Sequence, residues 1–123
     1  MAALPLPNRR IRVILADDHP LIRKTIRATI QKHSHIELVS EAENGAQAIE
    51  QAKTIKPEVV VLNINMPVMN GFEAAREIRK QVPQSGIVIL STHADKQFVE
   101  EARKLGVKVS LRNQRQAKRL SKP

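Results

Sequence analysis

Cysteine, tryptophan and tyrosine are absent from the 123 residues, and phenylalanine occurs only as Phe72 and Phe98. Without cysteine there are no disulfides and no thiolate metal sites, which fits a reducing compartment. With so few aromatics, Val, Ile, Leu and Ala must fill the interior. No apolar run approaches the roughly 20 residues needed to cross a bilayer. The opening MAALPLPN lacks a basic start and is broken by Pro5 and Pro7, so it reads as a disordered extension over 1–9 rather than a signal peptide. These absences point to a cytoplasmic protein with no membrane partner. Acidic residues are missing too, from everything beyond Glu101. Arg103, Lys104, Lys108, Arg112, Arg115, Lys118, Arg119 and Lys122 follow unopposed, and the net charge is +9. A basic tail attracts phosphate backbones or acidic partners, but here no aromatic side chain accompanies it to stack on bases. A solvated terminus is the plainer reading.

What is present is one domain's worth of chain, 41% hydrophobic and 27% charged. Apolar runs and amphipathic stretches alternate. Ile11–Ala16 is a short β-branched run ending at Asp17-Asp18, after which Pro20 suits a first helical turn and Leu21, Ile22, Thr25, Ile26, Thr29 and Ile30 recur at helical spacing to about Lys32. Ile36–Glu41 alternates as a strand. Asn44 with Gln47 resembles a capping box for a helix that Pro57 stops. Glu58–Asn63 is apolar without alternation, as in a strand covered on both faces. Asn70 and Glu73 signal another cap, for a helix running to Pro83. Gly86–Ser91 is a fourth strand, Asp95–Leu105 a helix closed by Gly106, and Val107–Leu111 a weaker fifth strand. The alternation predicts βαβ units around a parallel sheet, a doubly wound three-layer α/β sandwich over residues 10–111. Residues 112–123 form a basic tail or a short, degenerate last helix.

In open parallel sheets, ligands bind beyond the carboxyl ends of the strands. Three predicted strands end in polar residues there: Asp17-Asp18, Asn63 and Ser91. Two adjacent carboxylates repel each other, and a hard divalent cation such as Mg²⁺ relieves that repulsion. A simple helix cap is the competing reading of the pair. His19 reads as a local cap. His33 and His35 flank Ser34 with no third ligand at metal spacing, and His93 sits in a loop near Ser91.

The segments ILADDHPLIR (14–23), VVVLNINMPVMNGFEAAREIR (59–79), IVILST (87–92) and EARKLGV (101–107) together resemble the receiver domains of bacterial two-component response regulators. They are most similar to the subgroup joined to a helix-turn-helix DNA-binding output domain. The resemblance implies a flavodoxin-like sheet of order 2-1-3-4-5 and a signalling module rather than an enzyme. It implies that Asp17 and Asp18, with the backbone carbonyl of Asn65, hold Mg²⁺. Asn63 stands where the family has its phosphate-accepting aspartate. Ser91, with Thr92 beside it, stands where a hydroxyl binds the phosphoryl group. The family's lysine falls at Asn113, next to Arg112, and its switch aromatic at Ser110.

Three of these positions depart from the pattern. An amide at 63 is neutral and a very weak nucleophile, so phosphoryl chemistry is expected to be lost and Mg²⁺ to bind weakly or not at all. Arg112 carries a cation, but its planar fork does not replace an ammonium at a tight site. Ser110 cannot supply a packed aromatic rotamer. One reading is therefore a receiver that acts by protein contact without accepting phosphate. A second is an ordinary phosphorylation switch, served by a histidine kinase, carrying an inactivating substitution at Asn63. A third and weaker reading is nucleic-acid binding through the basic termini. A receiver–receiver dimer is a further partner expectation.

Overall fold

The structure is a computed structural model that describes residues 10–92 and 95–111. The expected extension over 1–9 and the tail over 112–123, with Arg112 and Asn113, lie outside the described residues, as does His93. Among the described residues, five strands alternate with four helices: β1 (Ile11–Ala16), α1 (Pro20–Gln31), β2 (Ile36–Ala42), α2 (Gly45–Ile55), β3 (Val59–Asn63), α3 (Gly71–Gln81), β4 (Gly86–Ser91), α4 (Lys96–Leu105) and β5 (Lys108–Leu111). All pairings are parallel and the order is β2-β1-β3-β4-β5, so the expected flavodoxin-like topology is present. The first crossover runs outward to β2 and the later ones run the opposite way. Since such crossovers are right-handed, α1 takes one face of the sheet and α2, α3 and α4 the other.

The main core lies under α2–α4. Ile14, Ala16, Val60, Leu62 and Ile89 from the sheet are wholly buried against Ala48, Ala52, Ala74, Ala75 and Ile78. Small helix residues let the helices approach the sheet closely, and the aliphatic strands supply the volume. Phe72 and Phe98, the two aromatics, meet edge-on with ring centroids 4.8 Å apart. Glu58–Asn63 was expected to be covered on both faces, and here the structure differs. Val60 and Leu62 are buried while Val59 and Val61 are half-buried. Among the described residues only α1 lies on that second face, and it sits chiefly over β2.

Helix ends follow local chemistry, with two corrections. Asn70 and Glu73 form a complete capping box at α3. At α2 only half of one forms: Asn44 accepts from the Gln47 N–H, but the Gln47 side chain accepts from the Glu43 N–H rather than from Asn44. At α1 the cap position belongs to His19, and no side chain caps it. Neither the Asp17-Asp18 pair nor the imidazole caps that helix. Gly106 ends α4 in the left-handed region at φ 79°, as its position in the sequence predicts.

Candidate functional site

β1, β3 and β4 lie side by side, and register places their ends together. Ala16 pairs with Leu62, and Asn63 with Leu90, so Asp17, Asn63 and Ser91 all emerge along one edge of the sheet. Neighbouring strands are about 4.8 Å apart, so these side chains come from consecutive rungs of a single cleft. All three are buried, with Asp17 at 0% and Asn63 and Ser91 at 3% relative exposure. Polar side chains of that burial in a small aliphatic domain are costly unless partnered. Their placement is therefore informative.

Asp17 is held through its backbone N–H, its carbonyl and its Oδ1. Its N–H donates to the Ala42 carbonyl (3.0 Å), continuing the ladder between β1 and β2. Its Oδ1 accepts the His19 backbone N–H (2.8 Å), which turns the chain toward α1. Its carbonyl accepts from Arg23 Nη1 (2.7 Å). The His19 ring folds back over the acidic pair, with Nδ1 2.8 Å from Asp17 Oδ1 and 3.0 Å from Asp18 Oδ1. Asp17, Asp18 and His19 thus each offer a ligand atom within 4.8 Å of one another. Two adjacent carboxylates form a hard oxygen donor pair of the kind Mg²⁺ accepts, so the residues fit such an ion.

Asn63 ends β3, and its Oδ1 faces the Asn65 N–H at 3.4 Å, a long contact. The loop from Ile64 to Asn70 is closed by Gly71, whose N–H donates to the Ile64 carbonyl (2.9 Å). Inside it, the Met69 N–H donates to the Pro67 carbonyl (2.6 Å) across Val68 at φ 69°. That is a tight γ-type turn with a β-branched residue in the left-handed region, a strained arrangement beside the cleft. Gly71 is required here. A Cβ on it would lie 2.6 Å from the Asn63 carbonyl oxygen and 2.9 Å from Ile64 Cα. Asn65 itself is exposed, and Thr92 is half-buried behind Ser91.

Ser110 pairs with Leu90 on β5 and is exposed. The structure thus brings Asp17, Asp18, Asn63, Asn65, Ser91 and Thr92 to one end of the sheet, with Ser110 exposed on β5 at the register level of Asn63. His33 and His35 lie far along the chain from the cleft, at the turn between α1 and β2, and stack edge-on with centroids 5.8 Å apart. Two residues of the site, Arg23 and Glu41, escaped the sequence reading, and His19 was read only as a local cap. His19 turns to the carboxylates, Arg23 binds the Asp17 carbonyl, and Glu41 anchors Arg23 and Arg27 (Arg27 Nε–Glu41 Oε2, 2.6 Å). The hydrogen bond from Arg27, helped by Arg23, holds the Glu41 carboxyl below its ordinary pKa.

Known proteins share this fold. Residues 13–122 match the family described as the response regulator receiver domain. The chain belongs to that family. Among curated proteins, it is 38% identical over 97 residues to the transcriptional regulatory protein YxjL of Bacillus subtilis, covering 79% of this chain and 44% of that protein. It is also 38% identical over 97 residues to the chemotaxis protein CheY of Thermotoga maritima, covering 79% of this chain and 80% of CheY. Among solved structures, the receiver domain of the response regulator NarL from Mycobacterium tuberculosis superposes with a TM-score of 0.78 at 30% identity, covering 84% of this chain and 83% of that one. The chain spans less than half the length of transcriptional regulators such as YxjL. Among the described residues, no helix of this receiver is long and apolar enough to cross a membrane.

Proposed function

We propose that this receiver keeps the cation and phosphoryl-binding frame of its family but accepts no phosphate, and that it signals by protein contact. The observation that carries the reading is Asn63, a buried amide at the carboxyl end of the middle strand, between the strands that deliver Asp17 and Ser91. An acyl phosphate forms when a carboxylate oxygen attacks phosphorus. The amide at 63 offers no such oxygen, and the Ser91 hydroxyl beside it binds a phosphoryl group without holding one covalently. Asp17, Asp18 and the Asn65 carbonyl would hold Mg²⁺, whose role is to neutralise phosphoryl charge. With one carboxylate fewer than its relatives, the cleft binds the ion weakly. The domain is a contact module of the cytoplasm rather than an enzyme. Its partners are a sensor kinase or another signalling protein, with receiver–receiver pairing as a second mode of contact.

A second reading has its own support. Ser91 is buried in position and Asp17 is anchored through its Oδ1, so the cleft is equipped for an ordinary kinase-driven switch disabled at one side chain. Beryllofluoride, which mimics a phosphoryl group only when bound to a carboxylate, tests the difference. With Mg²⁺ present, it should shift the amide resonances of Ser91 and Thr92 in Asn63→Asp and leave the native chain unchanged. Shifts in the native chain would contradict the proposal. No response from either chain would place the defect beyond residue 63, toward Arg112 and Asn113. Nucleic-acid binding through the basic ends is the weaker alternative. It requires a salt-dependent affinity that disappears when residues 112–123 are removed.

A further inference from the structure

We infer that Arg23 is a positioning residue for the acidic cleft, a strut that ties the Asp17 backbone to Glu41 on β2. The inference rests on the reading of Asp17 and Asp18 as a cation site. Arg23 lies on the second turn of α1, facing inward, with only 15% of its side chain exposed. Its Nη1 donates to the Asp17 carbonyl at 2.7 Å, while its Nε donates to Glu41 Oε1 at 3.2 Å. Glu41 is itself fixed. Its other oxygen accepts Arg27 Nε at 2.6 Å, and its own carbonyl accepts Gln51 Nε2 at 3.0 Å from α2. The planar guanidinium therefore spans β1, α1 and β2, and α2 braces the same point. A lysine has one donor point on a flexible stem and cannot bridge both acceptors.

The consequence has a definite sign. As a charge alone, Arg23 repels any cation in the cleft, so its removal would tighten cation binding. As a strut, it sets the Asp17–His19 turn, and its removal lets the two carboxylates separate, so binding weakens. The rigid hydrogen-bonded wiring favours the second effect, because first-neighbour geometry decides oxygen coordination, while the guanidinium charge is offset in part by Glu41, which Arg27 shares.

The test is a titration with Mn²⁺, followed by the electron paramagnetic resonance signal of the free ion, on the full chain. Arg23→Ala should raise the dissociation constant about fivefold, the scale of one ordinary hydrogen bond. Arg23→Lys should recover less than half of that loss. Glu41→Gln, which keeps Arg23 but loosens its anchor, should raise the constant about twofold, and it serves if Arg23→Ala folds poorly. Proton exchange at the His19 amide should also accelerate in Arg23→Ala, beyond any change at Leu62 or Ile89. An unchanged or tighter Mn²⁺ affinity in Arg23→Ala overturns the strut. Asp17→Asn separates this from the underlying reading. If Mn²⁺ binding survives that change, the cleft is not the cation site, and the strut falls with it.

Discussion

Asn63 and aspartate differ at one atom and one charge, and both differences act at the same place. The charge sets cation affinity, because a third carboxylate beside Asp17 and Asp18 repels both, and a bound dication relieves that repulsion. Asn63→Asp should therefore lower the melting temperature by several degrees without Mg²⁺ and regain it in millimolar Mg²⁺. The native chain should respond little. A calorimetric scan of both proteins with and without the ion checks this, and equal Mg²⁺ responses would argue against a two-carboxylate cleft. His19 adds a second residue-scale effect. Its ring Nδ1 lies against Asp17 Oδ1 and Asp18 Oδ1, atoms that a cation would also need.

Elements place these side chains through a few close approaches. The start of α3 presses on the end of β3 at Gly71, where an added methyl would meet the Asn63 carbonyl oxygen at 2.6 Å. Gly71→Ala should cost about 1–3 kcal/mol by overpacking and should disturb the cleft as well as stability. Gly86 is the control, since a Cβ there finds only an ordinary 3.5 Å contact with the Glu58 carbonyl oxygen. Gly86→Ala should stay within about 1 kcal/mol of native, as read from urea midpoints. Ser85 offers a third test. Its buried hydroxyl donates to the Pro57 carbonyl at 2.6 Å, linking the entries to β3 and β4. Ser85→Ala should cost about 1–3 kcal/mol, because the carbonyl is left buried and unpaired.

At the scale of the whole molecule, two carboxylates tie sheet to helices and set its acid behaviour. Glu41 is held below its ordinary pKa by the hydrogen bond from Arg27. Glu58 is lowered by the hydrogen bond from the Arg12 side chain, which also donates to the Ile55 and Lys56 carbonyls at the end of α2. A carboxyl with a depressed folded-state pKa stabilises the fold fully above its unfolded value, about 4.3, and that contribution is lost as pH falls through the folded-state value. Urea midpoints should thus hold steady from neutrality to about pH 5 and drop below about pH 4.3, less steeply in Glu58→Gln.

Much of this was legible in the residues. The polar endings of Ile11–Ala16, Glu58–Asn63 and Gly86–Ser91 mark where strands leave the core, so the sheet order alone brought Asp17, Asn63 and Ser91 together. Arg23 was not legible, because a side chain reaching back to a carbonyl six residues earlier leaves no periodicity. Nor was the turn of the His19 ring, which depends on the Asx-like bend that Asp17 makes. Val68 gave no signal either, since a β-branched residue is the last expected at positive φ. The half-cover of Val59 and Val61 was missed because an apolar run does not say how far a neighbouring helix reaches across its sheet.

The central claim concerns one bond, and intact-mass spectrometry reads it directly. The native chain and Asn63→Asp are incubated side by side with a small-molecule phosphodonor and Mg²⁺. The native chain should gain no phosphoryl group, whatever the duration, while Asn63→Asp should gain one that is lost on mild alkaline treatment, as an acyl phosphate is. A phosphoryl group on the native chain, mapped to the peptide containing residue 63 or to Ser91, would contradict it.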